Sequence, residues 1–511
     1  MFSHCVRASM QPQLDEARTA VTHEHTDQGD PVRLKTGVPG LDTVLCGGLL
    51  PRGVYIIQGG PGEGKTILAN QFCYSRAAQG ERSLYVTLLA ETHHRLLRHL
   101  RNMEFMADHQ RSEAVVYESA FDTLRNQGLE GVLRFLMRNA KNRKASVIVL
   151  DGLFALEETT ESERTFREFI NDVAAFADMS GCTVLLLTNS DRSGGSPEFT
   201  MVDGWIELGS EEEGSRSYRY LKVRKFRGSG FVSGRHVAEI SNEGFHVYPR
   251  LEAVHGHEPA IAMREVRVPS GVGGLDELLD GGLPYSSTTI VLGPSGVGKT
   301  TTGLGFICQS TADEPGLIFG FYEDEGRLRR RAESLGLGLP ALLDSGVVEL
   351  MHYPPTEALM DKLAELLLAA VDRRGVQRLF LDGLDGFRQS TVSPERLSRF
   401  FTALTSALRA RGVTTLLTSA IPEIIGGSSA ITAASVSAVA ENIVLLRYAE
   451  LESTLHRTIG IIKMRESGFS PHLYELCLGQ EGVSIGERLT HTEGVVLGRA
   501  HRRLPADGQD A

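Results

Sequence analysis

Short, continuously apolar runs recur along the chain and alternate with longer stretches of mixed polarity. One set comprises Val54-Tyr55-Ile56-Ile57, Leu84-Tyr85-Val86-Thr87-Leu88, Val147-Ile148-Val149-Leu150 and Thr183-Val184-Leu185-Leu186-Leu187. A second set comprises Thr289-Ile290-Val291-Leu292, Leu317-Ile318-Phe319, Leu379-Phe380-Leu381 and Thr414-Thr415-Leu416-Leu417. Runs of this length, rich in Leu and β-branched residues, suit parallel strands buried on both faces. Helix-like stretches such as Asp361 to Arg374 separate them. The alternation predicts an α/β fold with a largely parallel sheet flanked by helices.

The two sets belong to an internal repeat. Gly40-Leu41-Asp42 recurs as Gly274-Leu275-Asp276, and Gly47-Gly48-Leu49 recurs as Gly281-Gly282-Leu283. Both recur at the offset of 234 residues that separates Gly40 from Gly274. That period is far too long for a solenoid and implies two copies of one fold. Lobe one is expected at residues 31–248 and lobe two at 264–486. The intervening 249–263 is polar and bracketed by Pro249 and Pro259, as a linker would be. Residues 1–30 and 487–511 lack apolar periodicity and read as flexible tails.

Composition narrows the function. The 511 residues carry a formal charge of −11, with 41% hydrophobic and 23% charged residues, an ordinary globular balance. No apolar run reaches the roughly eighteen residues of a membrane span. The first thirty residues have no apolar core of a secretory signal. Six scattered cysteines without a C-x-x-C pair suit a reducing cytoplasm. An acidic chain is a poor candidate for nonspecific nucleic-acid binding.

The strongest chemical signals are two glycine-rich loops at the same offset. They are Gly59-Gly60-Pro61-Gly62-Glu63-Gly64-Lys65-Thr66 and Gly293-Pro294-Ser295-Gly296-Val297-Gly298-Lys299-Thr300. Each follows an expected strand and precedes an expected helix, the setting in which such a loop cradles phosphates. Its backbone N–H groups and the helix N-terminus face the anion. Lys65 and Lys299 then reach the β- and γ-phosphates, and Thr66 and Thr300 offer hydroxyls to Mg²⁺. Asp151 and Asp382, each ending an apolar strand and followed by Gly-Leu, are the matching metal-side carboxylates.

Hydrolysis or transfer also needs a group that takes a proton from the attacking oxygen. The strand after each loop helix ends in Ala90-Glu91 in lobe one and in Glu323-Asp324 in lobe two. Glu91, Glu323 and Asp324 are therefore candidate catalytic acids, although acids at that place also cap helices. Cationic candidates lie in Lys222-Val223-Arg224-Lys225-Phe226-Arg227 and Lys463-Met464-Arg465. Strand alternation puts Lys225 and Arg227 on one face, and Lys463 and Arg465 likewise. A solvated strand edge has the same composition.

With these motifs the chain resembles the KaiC family, the duplicated RecA-like ATPases of the bacterial circadian clock group. The resemblance covers nearly all of residues 31–486 and includes Tyr322-Glu323-Asp324 and Lys225-Phe226-Arg227-Gly228. It implies a homohexamer of two stacked rings binding ATP and Mg²⁺ between subunits. Lys225, Arg227, Lys463 and Arg465 would then act on a neighbour's nucleotide. The family's first ring hydrolyses ATP; its second is an autokinase and autophosphatase. Anchored on Ile443-Val444-Leu445-Leu446, the family's phosphoserine falls on Ser437, its phosphothreonine position on Ala438, and a third hydroxyl on Thr432. Alanine accepts no phosphate, which leaves Ser437 as the expected site, with Glu323 as base. Kai-type or other signalling proteins are the implied partners. Two other functions fit the same fold: a nucleotide-gated signalling scaffold with little turnover, and a RecA-like DNA-handling ATPase. The acidic charge and the lack of a zinc or helix-turn-helix module speak against the latter.

Overall fold

The computed structural model describes residues 32–89, 93–107, 113–160, 162–189, 198–214, 216–256, 265–356, 359–421, 440–451, 454–465, 467–480, 482–490, 492–493 and 501–502. Glu91, Thr432 and Ser437, and all of the expected N-terminal tail, lie outside the described residues.

Lobe one is built on β1 (Val54–Gln58), β2 (Ser83–Thr87), β3 (Val115–Ser119), β4 (Val147–Asp151), β5 (Thr183–Thr188), β6 (Gly204–Glu213), β7 (Arg216–Phe226), β8 (His236–Ser241) and β9 (Gly244–Tyr248). They form one nine-stranded sheet in the order β3-β2-β4-β5-β1-β6-β7-β8-β9. The strands from β3 to β6 pair in parallel, and β6 to β9 continue as an antiparallel meander. The central strands β1, β2 and β5 are buried along their whole length, as continuous apolar runs require.

Lobe two repeats the plan. A two-residue pair, β10 (Arg267–Val268) with β11 (Leu283–Pro284), precedes its sheet. The sheet comprises β12 (Thr288–Gly293), β13 (Gly316–Gly320), β14 (Val348–His352), β15 (Arg378–Asp382), β16 (Thr414–Ala420), β17 (Asn442–Leu451), β18 (Thr454–Lys463), β19 (Tyr474–Gly479) and β20 (Gly482–Arg488). Its order, β14-β13-β15-β16-β12-β17-β18-β19-β20, is that of the first sheet strand for strand. Two tandem RecA-like domains result, each with an apolar cluster on both faces of its sheet. Both lobes leave the C-terminal ends of the parallel strands open, where α/β sheets bind ligands.

The segment between the lobes is more structured than its polarity suggests. Leu251–Val254 forms a helical turn, and Leu251 is buried within the core of lobe two. Arg396 bonds both Glu252 (2.9 and 2.9 Å) and the buried Asp361 (2.8 and 2.9 Å), which ties that turn down. Further contacts join the lobes. Lys362 donates to Glu239 at 2.6 Å, His246 meets Glu365 at 3.0 Å, and Arg216 donates to the Gln389 carbonyl at 2.9 Å. At the other end β20 runs to Arg488, two residues beyond the expected boundary of 486. Thr492–Glu493 (β21) pairs with His501–Arg502 (β22) inside the stretch read as a tail.

Candidate functional site

The same backbone device opens both phosphate loops onto a helix. Gly64 and Gly298 precede the helices Lys65–Ala77 and Lys299–Ile307 with φ of 98° and 119°, a region that L side chains rarely adopt. A Cβ on Gly64 would also come within 2.7 Å of Ile240. Lys65 turns back onto the carbonyls of Gly59 and Gly60, the latter at 2.9 Å. Lys299 does the same to Gly293 (2.8 Å) and Pro294 (2.7 Å). Burial lowers the pKa of both ammonium groups, and nearby carboxylates act in the opposite direction, as a bound phosphate would.

Each lysine borders a cavity at the C-terminal strand ends. The lobe-one cavity, about 310 Å³, is walled by Pro61, Gly62, Lys65, Thr66, Asp151 and Asn189 among others. The lobe-two cavity, about 670 Å³, brings together Lys299, Thr300, Asp382, Glu323, Arg331 and Thr418. The sequence candidates of the two cradles thus converge where the topology leaves room for a nucleotide.

The two strand-end carboxylates are held differently. Thr66 donates to Asp151 at 3.5 Å, and Tyr85, from the middle of β2, donates its phenol hydrogen to the same carboxylate at 2.6 Å. In lobe two Thr300 lies 3.1 Å from Asp382, and the second hydroxyl is that of Thr418, at 2.7 Å. Thr418 also accepts the Gly383 amide at 2.8 Å. Burial raises the pKa of Asp382, with the two hydroxyls acting in the opposite direction. Tyr85 and Thr418 were not legible as site residues. Tyr85 sits inside an apolar run, and Thr418 is one of several threonines on a strand.

Glu323 and Asp324 separate in space. Glu323 borders the cavity and pairs with Arg331 at 2.9 Å. Burial raises its pKa, partly opposed by Arg331. Asp324 instead caps the helix Glu325–Ser334, accepting the Arg327 amide at 2.9 Å, and that bond lowers its pKa. On lobe one's P-loop, Glu63 accepts from Ser210 at 2.8 Å, while its other carboxylate oxygen is buried without a partner among the described residues.

The cationic candidates stand away from the cradles of their own lobes. Lys225 donates to the carbonyls of Phe199, Thr200 and Val202 (3.1, 2.7 and 2.6 Å), and Arg227 donates to Thr200 at 2.6 Å. They therefore share a face. Lys463 donates to the Ala440 carbonyl at 2.8 Å. Among the described residues, none of these three and not Arg465 lines either cavity.

Comparison with known proteins decides between unrelated P-loop folds. The family profile described as the KaiC ATPase matches twice, at residues 34–252 and 268–490. The chain belongs to the KaiC ATPase family. It is similar to the circadian clock oscillator protein KaiC of Parathermosynechococcus lividus, with 24% identity over 92% of this chain and 88% of that protein. It is likewise similar to the circadian clock protein KaiC3 of Synechocystis sp. PCC 6803 (25% identity, 91% and 94% covered) and to KaiC of Synechococcus elongatus (24%, 92% and 92%). The protein is a KaiC-like ATPase, and its nucleotide is ATP. No helix among the described residues is long and apolar enough to cross a membrane.

The residues present also fit a magnesium ion. Thr66 with Asp151, and Thr300 with Asp382, supply hard oxygen atoms. No group of three or more His, Cys, Asp or Glu able to cage a metal occurs among the described residues. Magnesium is commonly bound in this way, by one or two protein oxygens together with substrate phosphates.

Proposed function

We propose that the protein assembles as a hexamer, hydrolyses ATP, and transfers phosphate from ATP to Ser437 in lobe two, acting in the cytoplasm as a signalling or timing component. The observation that carries the transfer reading is Glu323. It is a cavity-lining carboxylate whose proton affinity is raised by burial, in a lobe that also holds Lys299, Thr300 and Asp382 around one space. Ala90 occupies the aligned position of lobe one, which leaves Glu91 as that lobe's candidate acid. Lobe one takes assembly and hydrolysis, and lobe two the kinase step.

In that step the Ser437 oxygen forms a bond to the γ-phosphorus as the bond from phosphorus to the β–γ bridging oxygen breaks. The serine proton passes to Glu323, and ADP leaves. Lys299 and the loop amides stabilise charge on the phosphate oxygens. Magnesium, when bound at Thr300 and Asp382, supplies charge neutralisation at those oxygens. Lys225 and Arg227, and Lys463 and Arg465, serve the nucleotide of the neighbouring subunit. That none of them lines the cavity of its own lobe supports this assignment. Partners of the Kai type, or other signalling proteins, would read the phosphorylated ring.

The decisive experiment is mass spectrometry of the purified protein after incubation with MgATP, alongside a phosphate-release assay. Phosphate on Ser437, lost in Ser437→Ala and in Lys299→Ala, is the expected result. Assembly with neither phosphate release nor Ser437 modification would replace this reading by a nucleotide-gated scaffold.

A further inference from the structure

The lobe-two cavity is bordered by three carboxylates, and each is held by a different group. Asp382 takes the hydroxyls of Thr300 and Thr418. Asp385 accepts the Ala420 amide at 3.2 Å and pairs with Arg388 at 3.4 Å. Among the described residues Glu323 is paired with Arg331 alone, at 2.9 Å. Only two cations line this space among the described residues, Lys299 and Arg331. Lys299 donates to the carbonyls of Gly293 and Pro294. The Arg331 side chain is 41% exposed, and apart from this ion pair its guanidinium has no hydrogen bond among the described residues. A guanidinium presents five N–H donors in a fork that fits phosphate, so most of them remain available at the cavity wall.

From this arrangement we infer that Arg331 is a nucleotide-responsive positioning residue. It holds Glu323 while the cavity lacks phosphate, and exchanges that carboxylate for a phosphate oxygen when a nucleoside triphosphate enters. The exchange removes from Glu323 the positive charge that favours its ionised form. Burial, which favours the protonated form, is then less opposed, and the carboxylate becomes a stronger base only once substrate is in place. Arg327 and Asp324 on the adjoining helix, and Asp382 at the end of β15, are the other charges that bear on Glu323. Arg327 acts in the same direction as Arg331, and the two acids oppose it. Lobe one cannot build this device in the same form, because Ala90 replaces the acid. The inference rests on lobe two being a nucleotide site that uses Glu323.

A double-mutant cycle on nucleotide affinity tests the exchange without relying on turnover. The full-length protein is titrated with a fluorescent ATP analogue and Mg²⁺, and the class of sites lost in Lys299→Ala is followed. Glu323→Gln removes the competitor for Arg331 and should tighten that class about threefold, the size expected for a partly exposed ion pair. In Arg331→Gln, affinity should fall, and adding Glu323→Gln should then bring no gain. Arg331→Lys, which keeps the charge but loses the fork, should lie between. An equal gain from Glu323→Gln with and without Arg331, or unchanged affinity in Arg331→Gln, would overturn the inference. Exchange further requires the acid limb of the pH profile for phosphate incorporation at saturating nucleotide to stay nearly unmoved in Arg331→Gln, because Arg331 has already left Glu323 in that state; a limb moved to higher pH would count against it. If Glu323→Gln retains full incorporation while the affinity cycle behaves as expected, the base assignment fails and the exchange stands.

Discussion

Replacing Tyr85 by Phe tests how lobe one holds its metal-side carboxylate. Tyr85 is fully buried, and its ring packs 5.4 Å from that of Tyr117, so phenylalanine keeps the packing and deletes one O–H. That hydrogen is donated to Asp151 at 2.6 Å, whereas Thr66 stands at 3.5 Å. A hydrogen bond to a charged group contributes about 1.5–3 kcal/mol. If the loss falls on the fold, lobe one should melt about 3–12 °C lower, at about 2–4 °C per kcal/mol for a domain of this size. If it falls on metal and nucleotide binding, the same energy weakens affinity about 10- to 150-fold. The two routes share one total. Magnesium titration of nucleotide binding and thermal melts without nucleotide should therefore add up to it. The internal control is lobe two, where Thr418 holds Asp382 and no tyrosine intervenes. Sites sensitive to Lys65→Ala should weaken, and those sensitive to Lys299→Ala should not; Thr418→Val should reverse the pattern. Equal weakening of both classes, or no change in either class or in the melt, would refute the reasoning.

Two further outcomes follow from buried charge. Arg396→Met leaves Asp361 and Glu252 without their shared guanidinium and should cost lobe two about 3–5 kcal/mol, read by denaturant unfolding. Asp361→Asn in the same background should recover part of it, because the uncompensated charge is gone. For Asp382, burial raises the folded pKa above the unfolded one. Stability from this group is then complete below its unfolded pKa, near the ordinary 3.8, and is lost as pH rises through the folded value. Without nucleotide or metal, Asp382→Asn should therefore melt higher than the native protein at pH 7–8, with the advantage shrinking as pH falls toward 4. The same variant should gain little from MgATP. A lower melting temperature at pH 8 would contradict the sign.

The parallel core of each lobe could be read directly from the sequence, because a strand buried on both faces must be apolar throughout. The eight strands expected from such runs all exist, most extended by a residue or two at their ends. The P-loops were equally plain, since glycine spacing and a following lysine leave few alternatives. The antiparallel meanders were not legible. In β6 and β7 half-buried or exposed charges alternate with buried apolar residues, and acids and arginines dominate their far ends. The turn at Leu251–Val254 was hidden because its anchors, Arg396 and Asp361, lie more than a hundred residues away in sequence. Asp324 shows the opposite limit. Its residue type suited catalysis and capping equally, and only the direction of the following helix separates the two.

Duplication gave the two cradles one backbone, so their differences reside in a few side chains. Tyr85 reaches Asp151 from inside the sheet and is not part of the cavity wall. The lobe-one carboxylate is therefore oriented by the fold, largely independently of what enters the site. Thr418 lies on the wall of the lobe-two cavity and shares its hydroxyl between Asp382 and the Gly383 amide. Glu323 on the same wall is held by a partly exposed arginine. The groups that orient Asp382 and Glu323 are thus within reach of ligand, and a bound phosphate must compete with or reinforce them. A site of the first kind favours steady binding, because its geometry is set before the nucleotide arrives. A site of the second kind favours chemistry that depends on what is bound. That division is possible in one duplicated chain because neither change touches the strands or the glycines that build the cradle.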